Sequence, residues 1–170
     1  MLAAVSQDYM CESFILQKTG LSVREHQRLT VERYRRIRSL VPMNTYVMPV
    51  LQGYQPSEYV DHIRDYGSDL YFGMWVGVGS VCKRNGTPTA IRAVLSAIKS
   101  ERPDLRLHGF GLKQTALGSP EVVSMLETSD SMAWSFAARR EGRDANSPDE
   151  ARAYVQRVNE IVKGIKEKRQ

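Results

Sequence analysis

The sequence predicts an α/β fold of the (β/α)8 TIM-barrel type, with about five of the eight βα units present in a single domain over residues 1–170. Three observations lead there. Five apolar runs are each followed by a helix-like segment, the order expected of a parallel sheet. Within the runs apolar residues are consecutive rather than alternating, as in strands covered on both faces. Polar residues or glycines close nearly every run, at Gln7-Asp8, Gln52-Gly53, Gly79-Ser80 and Gly111-Leu112-Lys113, and in barrels that end of the strands carries the chemistry. A spacing of roughly 25 to 40 residues per unit also suits a doubly wound sheet; the strand ends favour the barrel.

In chain order the predicted strands are "LAAVS" (2–6), "YVMPVLQG" (46–53), "LYFGMWVGVG" (70–79), "LRLHGFGL" (105–112) and "DSMAWS" (130–135). Helix starts punctuate the intervals. "SVRE" (22–25) and "SPDE" (147–150) read as capping boxes, in which Ser takes a first-turn N–H and Glu reaches back. "TPTA" (87–90) and "SPEV" (119–122) put Pro just after a capping hydroxyl, where its missing N–H costs nothing. Residues 141–170 form a C-terminal helix.

Composition narrows the class. An apolar fraction of 42% and a charged fraction of 25% are those of a globular protein. No apolar run is long enough to span a membrane and no signal peptide is present, so the expected location is cytoplasmic. Two cysteines, Cys11 and Cys82, give neither a disulfide framework nor a zinc motif. A net charge of +5 is compatible with a polyanionic partner without requiring one.

Several stretches carry a family likeness. "SQDYMCESFILQKTGLSVREHQRLTVERY", "PVLQGYQPSEYVDHI", "VGVGSVCKR", "LRLHGFGLK" and "SDSMAWSFAARR" together resemble the DNA 7-deazaguanine transglycosylases, the "deoxypurine in DNA" protein A family. These are relatives of the queuine and archaeosine tRNA-guanine transglycosylases. The resemblance covers about residues 6–140, in order, and is specific to the DNA branch. It implies a (β/α)8 barrel of which this chain resembles the last five units. It also implies an exchange of guanine for a 7-deazaguanine base such as preQ0, with DNA rather than tRNA as the polymer and no cofactor.

By the same resemblance Asp130 is the nucleophile that attacks C1′; its nine-residue spacing to Arg139 matches the tRNA enzymes, although the residues between differ. A carboxylate suits the task if it is ionised, aimed and shielded from water. Asp8 resembles the carboxylate that accepts guanine N1–H and the 2-amino group, two donors facing two oxygens. Gln52, followed by Gly53, resembles the amide that donates to O6, and Gly79 with Ser80 the strand end beside it. The tRNA enzymes' double-glycine pattern is not reproduced there. Arg139, Arg140 and Lys113 are the expected phosphate contacts. No zinc site is expected, since no Cys or His follows Arg140.

No early residue fills the family's general acid–base role, so the chain is expected to need a partner chain supplying the first barrel strands, or a homo-oligomer. Two other readings stand beside this one. One is a tRNA-guanine transglycosylase. The other is a non-catalytic, truncated or accessory chain that completes another subunit's barrel.

Overall fold

The computed structural model describes residues 2–84 and 86–168. Its first strand, β1 (Leu2–Val5), pairs in parallel with β2 (Thr45–Met48), Leu2 opposite Thr45 and Val5 opposite Met48. Pro49 then interrupts the run, because it has no N–H to give a ladder. The chain resumes as β3 (Val50–Leu51), which pairs in parallel with β4 (Trp75–Val78). Parallel pairing continues to β5 (Arg106–Gly109) and from there to β6 (Thr128–Ser129). Neighbours in space are neighbours in sequence throughout. The described strands therefore lack the order reversal that defines a doubly wound sheet.

Helices alternate with these strands. They are α1 (Ser13–Thr19), α2 (Val23–Leu40), α3 (Pro56–Tyr66), α4 (Pro88–Glu101), α5 (Gln114–Leu117), α6 (Pro120–Met125), α7 (Ala133–Arg140) and α8 (Pro148–Glu167). Ser22 makes the expected box with Glu25. Ser119 caps through the Val122 N–H, with Pro120 starting α6. Two expectations come out differently. Ser147 accepts from Asp149 N rather than forming a box, and Thr87 makes no side-chain cap. An unforeseen box joins Gln55 to Glu58 at α3.

One face of the sheet makes the core. Val47, Leu51, Val76, Val78 and Leu107 pack with Val31 and Tyr34 of α2, Tyr59, Ile63 and Tyr66 of α3, and Ile91, Val94, Leu95 and Ile98 of α4. Most of these are fully buried, and each large aliphatic contributes about 1.5–3 kcal/mol by leaving water. On the other face β4 and β5 present Trp75 and His108, with Phe110 beyond. Trp75 meets His108 edge-on at 5.7 Å, and His108 meets Phe110 at 4.7 Å. Gly77 is needed here, since a Cβ would lie 2.2 Å from the Phe110 ring.

Two predicted strands need correction. The run 70–79 is strand only from Trp75 onward, because Gly67–Asp69 form a 3-10 turn and Gly73 takes a left-handed turn at φ 72°. The run 130–135 is not a strand at all. The strand lies earlier, at Thr128–Ser129, and α7 begins at Ala133. The reason is periodicity: Ser135 and Ala138 are buried three apart, and Ala133, Ala137 and Ala138 are strong helix formers. No described helix is long and apolar enough to cross a membrane.

Candidate functional site

The site gathers at the carboxyl ends of the strands. Extending the register one residue past each ladder sets Gln52 opposite Gly79, Gly79 opposite Phe110, and Phe110 opposite Asp130. Gly79 N donates to Leu51 O at 2.9 Å and Phe110 N to Val78 O at 3.3 Å, so the ladder does continue. Gln52, Gly79 and Asp130 thus share one row across the sheet, from three strands.

Gln52 is fully buried and held on every side. Its backbone N–H donates to His62 Nδ1 at 2.8 Å, and its carbonyl accepts from Gln27 Nε2 at 2.7 Å. Because His62 Nδ1 is an acceptor, its Nε2 carries the proton and donates to Gln27 O at 3.1 Å. Burial holds the His62 imidazole down at about 4, so it is neutral near pH 7.

The Gln52 side chain links the two neighbouring strand ends. Nε2 donates to Asp8 Oδ2, and Oε1 accepts from Ser80 Oγ at 2.7 Å. Ser80 Oγ in turn accepts from Cys11 N at 3.2 Å. These bonds hold Ser80 in a left-handed conformation, φ 56°, that only a few per cent of non-glycine residues adopt. Gly79 makes room for the amide: a Cβ there would stand 2.1 Å from Gln52 Nε2. Its carbonyl accepts from Tyr59 OH at 2.8 Å. Gly53 packs closely too, with a Cβ falling 3.0 Å from Glu58 and Tyr59. The bond to Asp8 uses one of the two N–H groups of Gln52 and one carboxylate oxygen of Asp8. Burial pushes the Asp8 carboxyl above its ordinary range despite the Gln52 bond, and the nearby Glu12 carboxylate adds to the rise.

Asp130 follows β6 directly and has the opposite electrostatics. The His108 ring and then the Gly111 N–H hold its carboxyl below the ordinary range, against partial desolvation. Gly111 N donates to Oδ1 at 2.7 Å; His108 Nε2 lies at 3.6 Å, beyond hydrogen-bond distance. His108 Nδ1 is fixed 2.8 Å from Thr128 Oγ1. Gly111 sits at φ 65°, and a Cβ there would meet Cys82 Cβ at 2.8 Å. The Asp130 side chain is 58% exposed, and it borders a cavity of about 430 Å³ lined also by Ser131, Trp134, Leu112 and Tyr154. Asp8 and Asp130 are therefore two carboxyls tuned apart by their surroundings, one toward the neutral acid and one toward the anion.

Residues 1–157 match the family model of DpdA, DeoxyPurine in DNA protein A. The chain belongs to this family. No match is found among curated proteins. Membership carries a role in 7-deazaguanine modification of DNA, within a transglycosylase-related family. The match reaches beyond the residues 6–140 that carried the likeness in sequence, at both ends.

Not every expected site residue of this DpdA-family chain joins the cluster. Asp8, Gly79 and Ser80 all meet at the Gln52 side chain, and Gly53 lies beside it in the chain. Arg139 and Arg140 stand exposed at the far end of α7, roughly 12 Å along the helix from its start, and Arg140 lies over the Phe136 ring. Lys113 is exposed at the N-cap of α5. Tyr9 packs edge-on against His26 at 5.9 Å and its hydroxyl accepts from Arg33 Nε.

Four contributors went unseen in the sequence. Lying inside the apolar run 105–112, His108 reads as a core or barrel-lining residue, yet its Nε2 stands 3.6 Å from the Asp130 carboxylate. The register supplies the missing signal, since His108 lies opposite Thr128 and Asp130 is two residues on, hence on the same face. His62 and Gln27 left no pattern, because their contact joins residues 35 apart. Glu12 follows the quoted "DYMC" and drew no attention.

Proposed function

We propose that this chain is the base-exchange part of a DNA transglycosylase, replacing guanine by a 7-deazaguanine through a covalent intermediate on Asp130. The observation that carries the reading is the shared row at the strand ends. It sets a carboxyl held toward its anion three strands from a buried amide fixed between Asp8 and Ser80. The sequential parallel order of the strands is that of consecutive (β/α)8 barrel units, which supports a barrel as the whole architecture.

In this reading an Asp130 carboxylate oxygen attacks C1′ as the C1′–N9 bond breaks, and guanine leaves with that electron pair. N9 of the incoming base then attacks C1′ and the carboxylate is released. The proton lost from the incoming N9–H balances the one guanine gains. Asp8, through the oxygen not engaged by Gln52, accepts from the base edge. The second N–H of Gln52 donates to the base carbonyl beside Gly79 and Ser80. Arg139, Arg140 and Lys113 meet phosphates. The outer edges of β1 and β6 have no strand partner among the described residues, and a partner chain or second copy supplying strands there completes the site.

Asp130→Asn tests the core of the proposal. With radiolabelled guanine exchanged into or out of DNA, by the chain with whatever partner restores activity, Asn should lower the rate by several orders of magnitude. Exchange within about tenfold of the unaltered protein rejects Asp130 as nucleophile. Label entering tRNA in preference to DNA rejects the DNA substrate.

A further inference from the structure

Glu12 is 4% exposed, and neither of its carboxylate oxygens has a hydrogen-bond partner among the described residues. Its position at the N-cap of α1 does not explain this. The Glu12 carbonyl accepts from Ile15 N and Leu16 N, but the side chain makes no cap bond. Among the described residues no cation forms an ion pair with it. Lys83 lies over the Phe14 ring at 5.6 Å, and Arg84 donates to the Tyr54 and Ser80 carbonyls and stacks on the Tyr54 ring. A buried carboxylate lacking both donor and counter-charge is among the most costly groups a fold can carry.

Its location connects it to the base-holding cluster. The preceding residue, Cys11, gives its N–H to Ser80 Oγ, which donates to Gln52, which donates to Asp8. The negative charge of Glu12 is felt by Asp8 in the same loop, by Tyr59 of α3 and by Cys82 after β4. The carboxylate is thus enclosed by the elements that hold Gln52 and Gly79.

Counting donors and acceptors shows what it can accept. The hydrogen-bonding edge of a guanine-type base carries three N–H groups, one at N1 and two on the exocyclic amine. Asp8 already accepts from Gln52 at Oδ2. A single carboxylate meets two coplanar donors side by side, so one of the three N–H groups is left for a second acceptor. We propose that Glu12 is a second base-holding carboxylate, accepting the exocyclic amino group of a guanine-type base while Asp8 accepts the ring N–H. This rests on the base-exchange reading above and adds to it a residue that selects for the amino group.

Calorimetric titration of the full chain with 7-deazaguanine and with 7-deazahypoxanthine, which lacks only that amine, tests the assignment. The unaltered chain should prefer 7-deazaguanine. Glu12→Gln should weaken 7-deazaguanine binding roughly ten- to hundredfold, the range for a hydrogen bond to a charged group, and leave 7-deazahypoxanthine within about threefold. Its melting temperature should hold or rise, because an unpaired buried charge has been removed. Unchanged binding in Glu12→Gln overturns the inference while the base-exchange reading stands. Equal losses for both bases, or a fall in melting temperature in both Glu12→Gln and Glu12→Ala, would make Glu12 a structural residue and likewise overturn it. Failure of the unaltered chain to bind either base would remove the base-holding reading itself.

Discussion

His108 Nε2 lies 3.6 Å from Asp130 Oδ1, across the edge where β5 gives way to β6. The imidazole is oriented by Thr128 on one side and by Trp75 and Phe110 around its ring. It therefore acts on Asp130 from a fixed position. Replacing His108 with Phe should keep the packing and remove the ring nitrogens, letting the Asp130 carboxyl rise toward its ordinary value. The Gly111 N–H should keep it from rising fully. Carboxyl-carbon NMR titration of Asp130 reads this directly, and an unchanged titration would show that Gly111 alone sets the carboxyl. Because Asp130 titrates below its unfolded value, its contribution to stability is present above about pH 4 and lost as pH falls further. The group is more than half exposed, so that contribution is small.

Asp8 carries the opposite sign. Its carboxyl is raised by burial, so the unfolded chain ionises first, and stability is lost as pH rises from about 4 through the folded value. Asp8→Asn cannot ionise and escapes that loss, while its side-chain oxygen still accepts from Gln52. The melting temperature of Asp8→Asn relative to the parent should therefore be higher at pH 7 than at pH 4. A difference that does not vary with pH would remove the buried-acid account of Asp8.

The third expectation concerns acid unfolding. His62 is neutral and buried, held at about 4 against an ordinary value near 6.5. Stability is then complete above about pH 6.5 and lost as pH falls toward 4, by about 3 kcal/mol in all. A proton on Nδ1 would face the Gln52 N–H, so the loss falls on the residue at the centre of the site. Urea denaturation at pH 7, 5.5 and 4.5 should show this slope in the parent and not in His62→Gln. An equal slope in both would assign acid sensitivity elsewhere.

Glycine substitutions should separate by location. Gly79→Ala forces the Gln52 amide aside and breaks its bonds to Asp8 and Ser80, at about 1–3 kcal/mol for the overpacking. Gly164 lies within α8 and has nothing within 4 Å of a Cβ, so Gly164→Ala should stabilise by roughly 0.5–1 kcal/mol. Chemical denaturation of the pair checks both signs. Similar effects at the two positions would mean that Gly79 does not shape the amide pocket.

Much of this architecture was legible before any coordinates. Consecutive apolar runs and serine or proline helix starts located β1, β4, β5, α2 and α6, because burial on both faces and first-turn capping are local demands. The likeness in "VLQG", "SQDY" and "VGVGS" brought Asp8, Gln52 and Gly79 to one place. What stayed hidden was set by distant partners or by a competing period. "MAWSFAARR" is apolar enough for a strand, and only the three-residue spacing of Ser135 and Ala138 declares it a helix. His108 and Glu12 look like ordinary core and surface residues until the register places one beside Asp130 and folding closes over the other.

Pro49 has a mechanical consequence. The chain from Thr45 to Leu51 changes allegiance at that residue: β2 ladders with β1, β3 ladders with β4, and the proline carbonyl accepts from Gly77 N while its nitrogen offers nothing. The sheet is thus jointed there, with the loop of Asp8 carried on one plate and Gln52, Ser80 and Asp130 on the other. The Asp8–Gln52 and Cys11–Ser80 bonds together act as a latch across that joint. A force drawing β1 away would load the latch early, and the two plates would part along Pro49 while the ladder from β3 to β6 stayed whole.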